Sequence, residues 1–488
     1  MEAITALFDL DTLRTMQGQA CDAGAGDTAG LLAQAAAAAL AALQAGWPQA
    51  RRLLVLAGPG NNGGTGYRLA RLASQTGWQA QVVCTVAPQS LPARAAADAW
   101  RAGGGSTTVF AGQLPAADVV VDALYGTGLN RALAGKDAAL VTALNASGQP
   151  VLALDVPSGV LAGNGQVPGE AVRASVTLAF LLPLLSLRCG PALPWVGHYR
   201  WAPLLALPLP RPAMQLAGMA DLAAALPARA VQAHKGQHGH VLVIGGDHGT
   251  GGAAMLAAEA ALRSGAGLVS VATRAAHVAP LLARLPEAMA FDADDHALLA
   301  SRLQASSCVV IGPGLGQAVW GQQLWQQVQR CGKPMLLDAD ALNLLAASPH
   351  PVPGAVLTPH PGEAARLLGT DVAGVQVDRP GAVQALVERF AATVVLKGAG
   401  SLVGSPGQRP ALVEAGNPGM AVGGMGDVLS GVIAALIGQG LPPHQAARAG
   451  TLMHAVAGDR AAGLQPRGLL PTDLMPHLRV LANPEAVR

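Results

Sequence analysis

The sequence is poor in charge, in aromatic residues and in cysteine. Charged residues make up 12% of its 488 residues, and 31 basic against 29 acidic residues leave a formal net charge of +2. Because no run of basic residues occurs, we expect no nucleic-acid partner. Five cysteines are scattered without a Cys-x-x-Cys pair. This spacing argues against a disulfide framework or a zinc site and predicts reduced thiols.

Long uninterrupted apolar runs are also missing, although apolar residues make up 51% of the chain. The Ala-rich run 29–46 contains Gln34 and Gln44, and the apolar run 176–187 is interrupted by Pro183. A membrane-spanning helix needs about 20 consecutive apolar residues. We therefore predict that both runs are core elements of a soluble protein without membrane contact. No signal-type segment precedes them, so a cytoplasmic location is expected.

The length predicts more than one domain, because a single core stops growing well below 488 residues. Prolines gather between residues 199 and 215, where charge is almost absent. They are Pro203, Pro208, Pro210 and Pro212. Proline-rich segments exclude helix and stiffen a linker. We place the boundary near Pro212, which gives domains 1–212 and 213–488.

The amino-terminal half alternates apolar runs with helix-forming segments. Residues 51–57 lead into a glycine-rich segment, 58–66, and then into a helix predicted over 67–75. Further strands are predicted at 81–86, 118–122 and 151–155, and helices at 13–43 (broken near Gly24 and Gly26), around 92–102 and near 136–145. This alternation predicts an α/β fold, here a Rossmann-like three-layer α/β/α domain with a mainly parallel sheet.

Two acids fall at predicted strand ends in this half, Asp122 and Asp155. Ligands of parallel sheets collect at the carboxyl ends of the strands, so both acids are candidates for a site. Spacing alone leaves the alternative open that each merely caps a loop.

Three motifs follow one another in this half: Gly-Asn-Asn-Gly-Gly at 60–64, Asp-Ala-Leu-Tyr-Gly-Thr-Gly-Leu at 122–129 and Leu-Asp-Val-Pro-Ser-Gly at 154–159. Together they resemble the YjeF amino-terminal family, the NAD(P)H-hydrate epimerases, over about residues 53–185. The resemblance implies that the hydrated nicotinamide nucleotide is lined by Asn61, Asn62, Gly63, Gly64, Thr65, Gly126, Thr127, Gly128, Leu129, Asn130, Arg131, Ala132 and Asp155. It implies acid/base catalysis near C6 of the ring for Asp155. It also implies a potassium ion on Asn62, Asp122 and Ser158, and hard cations do take oxygen ligands.

The chain departs from this family at two places. The family loop reads Gly-Asn-Asn-Gly-Gly-Asp-Gly, whereas this chain has Thr65 in place of the acid, which removes a charge. The first helix has Arg14 and Gln17 and continues Ala-rich from Gln34, where the family tends to place further charged residues. One alternative is therefore an amino-terminal domain that only binds its ligand and no longer epimerises it.

The carboxy-terminal half contains the glycine-rich stretch 416–431, which leads into an apolar helix predicted over 428–439. Glycines let consecutive amides converge on an anion, and a helix N-terminus adds partial positive charge there. The pattern predicts a phosphate site with Asp427 in the first helical turn. The alternative for a short Gly-x-Gly-Asp motif is an ordinary capping acid.

Three strand-to-loop segments, at 240–247, 308–316 and 334–343, predict one doubly wound sheet with one cleft in this half. The first is followed by a helix predicted at 254–263, and further strand ends are predicted at 357–363 and 394–401. His360 lies between prolines at a strand end, where a histidine can contact a ligand or carry a proton, although a lone histidine is more often structural. Lys397 stands at the end of the last strand, where it offers a charge partner to a nucleotide.

This half resembles the ribokinase-like enzymes, and within them the ADP/ATP-dependent NAD(P)H-hydrate dehydratases. The resemblance rests on the stretch 416–431, on Lys-Gly-x-x-Gly-His at 235–240 and on Pro-His-Pro-Gly-Glu at 359–363. It implies contacts of the hydrated dinucleotide with Ala253, Gly314, Gly316, His360 and Asp427, and contacts of ADP with Lys397, Gly398, Ala399, Gly400, Ser401 and Gly426. Val422 stands where many relatives carry Thr. The family further implies a homo-oligomer.

The combined resemblance implies repair of the hydrates NADHX and NADPHX. The amino-terminal half would interconvert their R and S forms, and the carboxy-terminal half would remove water from the S form, with ADP bound and Asp427 as the catalytic acid/base. The alternative within the same fold is a kinase of a small hydroxymethyl heterocycle. Such a kinase would use ATP with Mg²⁺, which makes Mg²⁺ a further candidate at the nucleotide site.

Overall fold

The computed structural model describes residues 4–22 and 27–484. The chain forms two compact units, Met1–Met214 and Gln215–Arg488. The helix break predicted near Gly24 and Gly26 lies outside the described residues.

The amino-terminal unit is built on a seven-stranded, fully parallel sheet. In spatial order its strands are Thr107–Val109, Gln79–Cys84, Arg52–Ala57, Val119–Ala123, Val151–Leu154, Val176–Phe180 and His198–Ala202. A two-residue strand, Ala6–Leu7, precedes the first helix. The helices are Leu10–Asp22, Thr28–Gly46, Asn61–Gln75, Leu91–Ala102, Gly135–Ser147 and Leu193–Val196.

The central strands are buried on both faces, as parallel strands between helices must be. Leu53 and Val55 point into a core that includes Leu69 of the helix Asn61–Gln75. Leu54 points into a second core with Leu140 of the helix Gly135–Ser147. This alternation confirms the predicted three-layer α/β/α fold.

The glycine segment after the first long strand is not the loop that the sequence predicted. The helix begins at Asn61, six residues before the predicted start, and Gly63 and Gly66 lie inside it. A Cβ on Gly63 would lie 1.9 Å from the carbonyl oxygen of Gly58, and one on Gly66 would lie 2.7 Å from the Cβ of Ala123. These glycines therefore let the helix pack directly on the strand ends.

The stretch in which the prolines gather begins within a strand. Residues 199–202 belong to the edge strand His198–Ala202, which pairs in parallel with Val176–Phe180. The prolines start just after this strand, and residues 203–213 form neither helix nor strand. A strand at the edge of a sheet needs hydrogen bonds on one side only, so these residues can join the sheet directly before the prolines.

The Ala-rich run forms the 19-residue helix Thr28–Gly46, which by length and composition alone could cross a membrane. Asp27 caps it by accepting a hydrogen bond from the amide of Gly30 at 2.9 Å. Ala36, Ala39 and Leu43 are fully buried in the core of the amino-terminal unit. This packing supports its interpretation as a core helix.

The carboxy-terminal unit has a larger, mainly parallel sheet. In spatial order its strands are Met214–Leu216, Ala411–Val413, Ser401–Gly404, Thr393–Leu396, Val356–Leu357, Met335–Leu337, Cys308–Ile311, His240–Ile244, Leu268–Thr273 and Met289–Asp292. The strand Ser401–Gly404 is antiparallel to both its neighbours. The helices are Met219–Ala225, Gly251–Arg263, Ala275–Arg284, His296–Ala305, Val319–Gln329, Ala339–Ala347, Pro361–Leu368, Val372–Val377, Arg379–Phe390, Met425–Gly438, Pro443–Ala462 and Leu474–Leu481.

The helix Met425–Gly438 is the central element of this unit, and it starts three residues before its predicted beginning. All residues from Val428 to Ile437 are buried. Each large aliphatic side chain buried in this way contributes roughly 1.5–3 kcal/mol. A Cβ on Gly431 would lie 2.1 Å from the carbonyl oxygen of Ala257, so a larger residue there would push two packed helices apart.

Candidate functional site

The amino-terminal unit gathers polar groups at the carboxyl ends of neighbouring strands. The carboxylate of Asp122 is fully buried and accepts hydrogen bonds from the Ser158 amide (2.8 Å), the Ser158 hydroxyl (2.7 Å) and the Leu124 amide (3.2 Å). Burial raises its pKa to about 6, against the effect of these donors. The site therefore contains a carboxylate whose charge is costly without a cation.

Asn62 reaches the same place from the helix Asn61–Gln75. Its amide nitrogen donates to the carbonyl oxygens of Tyr125 (2.9 Å) and Leu154 (3.2 Å). The Ser158 hydroxyl contacts the same Tyr125 carbonyl at 3.2 Å and accepts from the Tyr125 amide at 2.8 Å. The structure thus brings the three predicted metal residues together, because Ser158 hydrogen-bonds both to Asp122 and to the backbone of Tyr125, which Asn62 also contacts.

Asp155 has the left-handed backbone conformation, with φ of 69°. Such a conformation is uncommon for a residue with a side chain, and residues that adopt it cluster at functional sites. The carboxylate accepts a hydrogen bond from the amide of Thr127 at 3.0 Å, and burial raises its pKa. A Cβ on Gly126 would lie 2.6 Å from this carboxylate, so the glycine lets the loop close over the acid.

The remaining predicted contacts of this unit differ in exposure. The residues Gly126, Thr127, Gly128, Leu129, Asn130, Arg131 and Ala132 form an exposed to half-buried loop. Asn61 is exposed and accepts from the Ser90 hydroxyl at 2.9 Å, and Asn62 is half-buried. Gly63, Gly64 and Thr65 are buried. Thr65 is only 2% exposed and its hydroxyl lies 3.4 Å from the Asn61 carbonyl, so at most its backbone can reach a ligand.

One polar pair of this unit was missed by the sequence analysis. The hydroxyl of Tyr125 donates to Asp137 at 2.5 Å, and Thr85 donates to the other oxygen of the same carboxylate. Burial and the neighbouring carboxylate raise the pKa of Tyr125 to about 12. Tyr125 lies within the motif at 122–129, but its partner Asp137 lies on the helix Gly135–Ser147, in which no site residue was predicted.

The carboxy-terminal site centres on the partly buried ammonium of Lys397. The ammonium of Lys397 lies 2.8 Å from Asp338 and 3.7 Å from Glu363, both of which are buried. Ser430 donates to the second oxygen of Asp338 at 2.9 Å. Although burial opposes both shifts, the pair raises the pKa of Lys397 and lowers that of Asp338, so both groups are charged.

Asp427 lies beside this ion pair, in the first turn of the helix Met425–Gly438. Burial and then the charge of Asp338 raise its pKa to about 7. A Cβ on Gly426 would lie 3.2 Å from the Lys397 ammonium, which places the helix N-terminus against the cation. An amide, a dipole and an ammonium meeting at one point form an anion site with a carboxyl group at its rim.

His360 caps the helix Pro361–Leu368. Its Nδ1 accepts hydrogen bonds from the amides of Gly362 (3.0 Å) and Glu363 (3.4 Å), so the neutral ring carries its proton on Nε2. That nitrogen lies 3.3 Å from the carboxylate of Glu363, and burial lowers the pKa of the ring. Glu363 also lies near Lys397, so its carboxylate stands between the half-exposed His360 ring and the ammonium of Lys397.

The other predicted substrate contacts form a second cluster. The amide of Gly316 donates to Asp340 at 2.8 Å, and the carbonyl of Gly314 accepts from the Thr250 hydroxyl at 2.8 Å. Ala253 lies in the first turn of the helix that follows Thr250. A Cβ on Gly424 would lie 2.7 Å from Leu256 of that helix, which places this turn beside the glycine stretch.

Asp338, Glu363 and Ser430 were missed as site residues, although all three lie within the quoted motifs. The signal available was position, because Asp338 follows a strand and Glu363 opens a helix beside the cleft. The pairing of Lys397 with Asp338 and Glu363 joins residues 59 and 34 positions apart and could not be inferred from spacing along the chain.

The two sheets, with acids at their strand ends, define a two-domain α/β enzyme whose carboxy-terminal unit is ribokinase-like. A crystal structure of a ribokinase-like superfamily protein from Enterococcus faecalis V583 matches with a TM-score of 0.53 and 29% identity, over 57% of this chain and 98% of that one. A protein-family model of NAD(P)H-hydrate dehydratase matches residues 241–479, and one of the YjeF-related protein N-terminus matches residues 28–186.

Whole-chain relatives carry both parts. The chain is 43% identical to the bifunctional NAD(P)H-hydrate repair enzyme Nnr of Escherichia coli K12, over 93% of this chain and 90% of that protein. It is also 43% identical to the protein of the same name from Coxiella burnetii, over 99% and 100%. The chain therefore belongs to the family of bifunctional NAD(P)H-hydrate repair enzymes. This membership confirms the predicted family and favours a dehydratase over the kinase alternative.

Proposed function

We propose that this enzyme restores NADH and NADPH from their hydrates NADHX and NADPHX. In this proposal residues 1–212 form the epimerase domain, which interconverts the R and S hydrates. Residues 213–488 form the dehydratase domain, which removes water from the S hydrate while ADP is bound. The observation that carries the proposal is the position of Asp427 at the rim of an anion site, with a pKa raised to about 7.

Dehydration of the S hydrate requires the hydroxyl at C6 to leave as water. A carboxyl group with a pKa near 7 is partly protonated at neutral pH, so Asp427 can donate the proton to the departing hydroxyl. The lone pair of the ring nitrogen assists the departure, and the Asp427 carboxylate left by this transfer can then accept the proton from C5, which restores the C5–C6 double bond and the protonated acid. General acid catalysis of this kind contributes roughly 100- to 10,000-fold.

ADP would occupy the loop formed by residues 397–401 and the N-terminus next to it at Gly426. The ammonium of Lys397 against Gly426 supports this assignment, since amides at a helix N-terminus and a lysine favour phosphate. The dinucleotide would then extend past His360 and Asp427 toward Ala253, Gly314 and Gly316. A Mg²⁺ ion would accompany the phosphates if ATP replaces ADP.

Epimerisation is assigned to Asp155, whose strained backbone and raised pKa are typical of catalytic groups. Asn62, Asp122 and Ser158 would hold the potassium ion, because the Ser158 hydroxyl donates to the Asp122 carboxylate, Asn62 and Ser158 both donate to the Tyr125 carbonyl, and hard cations prefer such oxygen ligands. A bound potassium ion would supply positive charge beside the anionic substrate. We assign the enzyme to the cytoplasm as a homo-oligomer, and its cysteines without Cys-x-x-Cys spacing fit a reducing compartment.

One assay tests the whole proposal. The absorbance of reduced nicotinamide is followed from a mixture of R and S hydrates, with and without ADP and potassium. We expect recovery of the coenzyme only with ADP, and continued recovery from the R form through the epimerase. If the S form alone is consumed beyond spontaneous epimerisation, the amino-terminal domain only binds its ligand. Formation of a phosphoester from ATP and a small hydroxymethyl heterocycle would instead favour a kinase.

A further inference from the structure

A buried arginine lies beneath the loop assigned to the nucleotide. Arg379 begins the helix Arg379–Phe390 and is only 3% exposed. Asp378, the residue before it, accepts a hydrogen bond from the amide of Gly381 at 2.9 Å and so fixes the start of the helix. A buried guanidinium is costly unless its N–H groups are satisfied, so its partners show what it does.

Those partners are carbonyl oxygens of the loop. One terminal nitrogen of Arg379 donates to the carbonyl of Gly400 at 3.0 Å and to those of Leu396 and Lys397 at 3.4 Å each. The other terminal nitrogen donates to the Gln376 side chain at 3.1 Å. The planar fork of arginine can serve several acceptors at once, which a lysine ammonium at the end of a flexible stem cannot do in the same geometry.

The loop wraps closely around this guanidinium. A Cβ on Gly398 would lie 3.2 Å and 3.3 Å from its two terminal nitrogens. Gly398 and Gly400 have φ of 137° and 71°, conformations that allow the chain to turn its carbonyls inward. The carbonyl oxygens on the inner side of the loop therefore accept hydrogen bonds from Arg379.

The amides of the loop are used differently from its carbonyls. Across residues 4–22 and 27–484, the backbone amides of Gly398, Ala399 and Gly400 have no protein acceptor. Gly398 and Ala399 are exposed. Consecutive free amides above a buried positive charge form a concave site for an anion. The ammonium of Lys397 lies at the start of the same loop.

We propose that Arg379 positions the nucleotide loop, residues 397–401, by holding its carbonyls inward so that its amides stay available to the diphosphate of ADP. The inference rests on the function proposed above and adds to it a residue that acts through the loop rather than by touching the reacting atoms.

Isothermal titration calorimetry of the full chain with ADP and with adenosine tests this role. We expect Arg379→Met to weaken ADP binding about 10- to 100-fold, because one charged group and several hydrogen bonds are lost. Adenosine lacks the phosphates, so its affinity is expected to change much less. Dehydration of the S hydrate should need more ADP, with kcat recovering at saturating ADP and KM for the hydrate unchanged. Arg379→Lys should give an intermediate loss.

The matched control is Arg389→Met, because Arg389 lies on the same helix but is exposed. It should leave ADP affinity and dehydration as in the unsubstituted enzyme. Wild-type ADP affinity in either folded Arg379 variant would overturn the inference. So would equal losses for ADP and adenosine, or loss of folding in both variants, since either result indicates a purely structural arginine. Failure of the unsubstituted enzyme to bind ADP would instead overturn the proposed function.

Discussion

The two units use similar glycine-rich sequences for different physical purposes. In the amino-terminal unit, Gly63 and Gly66 are buried inside a helix, where they allow backbone to pack against backbone. In the carboxy-terminal unit, Gly424 has φ of 96° and Gly426 lies against the ammonium of Lys397. A glycine motif between a strand and a helix therefore marks a close approach, and the approaching group is backbone or an apolar side chain in one unit and also a charged side chain in the other.

The acids of the two units also differ in their surroundings and therefore in their pKa values. Asp122 is surrounded by neutral donors, and its pKa is raised. Asp338 is equally buried but pairs with Lys397, and its pKa is lowered. Asp427 takes no part in that pair and is left with a raised pKa. The partly buried Lys397 thus distinguishes a carboxylate that is held charged, Asp338, from a neighbouring carboxyl group that can carry a proton, Asp427.

The largest expected effect is on catalysis in one unit only. Asp427→Ala should slow dehydration of the S hydrate by about 100- to 10,000-fold, because the proton donor is removed. Epimerisation of the R hydrate should continue, since it belongs to the other unit. Both rates are measured on one preparation, by coenzyme recovery and by chromatographic separation of the epimers. An undiminished dehydration rate would show that Asp427 is not the acid.

The second prediction concerns the buried ion pair. Lys397→Met should destabilise the carboxy-terminal unit by about 3–5 kcal/mol, because Asp338 is left as a buried charge without its cation. Urea unfolding followed by circular dichroism measures this change. The double variant Lys397→Met with Asp338→Asn should recover most of the loss. If the single and double variants are equally unstable, the damage comes from packing and not from the uncompensated charge.

Substitution by Ala distinguishes a glycine that is needed for close packing from one that is not. Gly66→Ala should destabilise the amino-terminal unit by about 1–3 kcal/mol, because its Cβ would meet Ala123 at 2.7 Å. Gly423→Ala is the matched control in the other glycine stretch, since a Cβ there would meet nothing within 4 Å. Thermal unfolding of both variants checks the contrast. Equal stabilities would remove the packing explanation for the buried glycines.

The last expected effect is a dependence of stability on pH. A carboxyl group whose pKa is raised by folding stabilises the protein while protonated, and this stabilisation is lost as pH rises from about 4, the unfolded pKa, through the folded pKa. For Asp427 the window ends at about pH 7. Asp427→Asn should therefore flatten the fall in stability of the carboxy-terminal unit between about pH 4 and 7. Urea midpoints at several pH values measure the slope, and an unchanged slope would contradict the assignment.

The fold could be predicted because alternation and strand-end motifs are local signals. Runs such as 53–57 and 308–311 are apolar throughout, which indicates strands covered on both faces. Helix starts were less certain, because glycine is a poor helix former in isolation and yet the helix Asn61–Gln75 begins among glycines. Tertiary packing overrides that preference, since only glycine fits against the neighbouring backbone.

The site was only partly predictable for the same reason. The sequence placed Asp155, His360, Lys397 and Asp427 at strand ends or helix starts, and the structure finds them there. It gave no sign that Thr65 is buried or that Lys397 binds Asp338 and Glu363. Which charges meet depends on strand order, and strand order is not a local property.

By itself the sequence determined the alternation of elements, the two-part organisation and the residue types available to each site, because these depend on neighbours along the chain. The tertiary structure decided which glycines serve packing, which carboxylate pairs with Lys397 and which arginine hydrogen-bonds to the loop at residues 397–401. These outcomes depend on distances between groups far apart in sequence, and burial turns those distances into differences in charge and proton affinity.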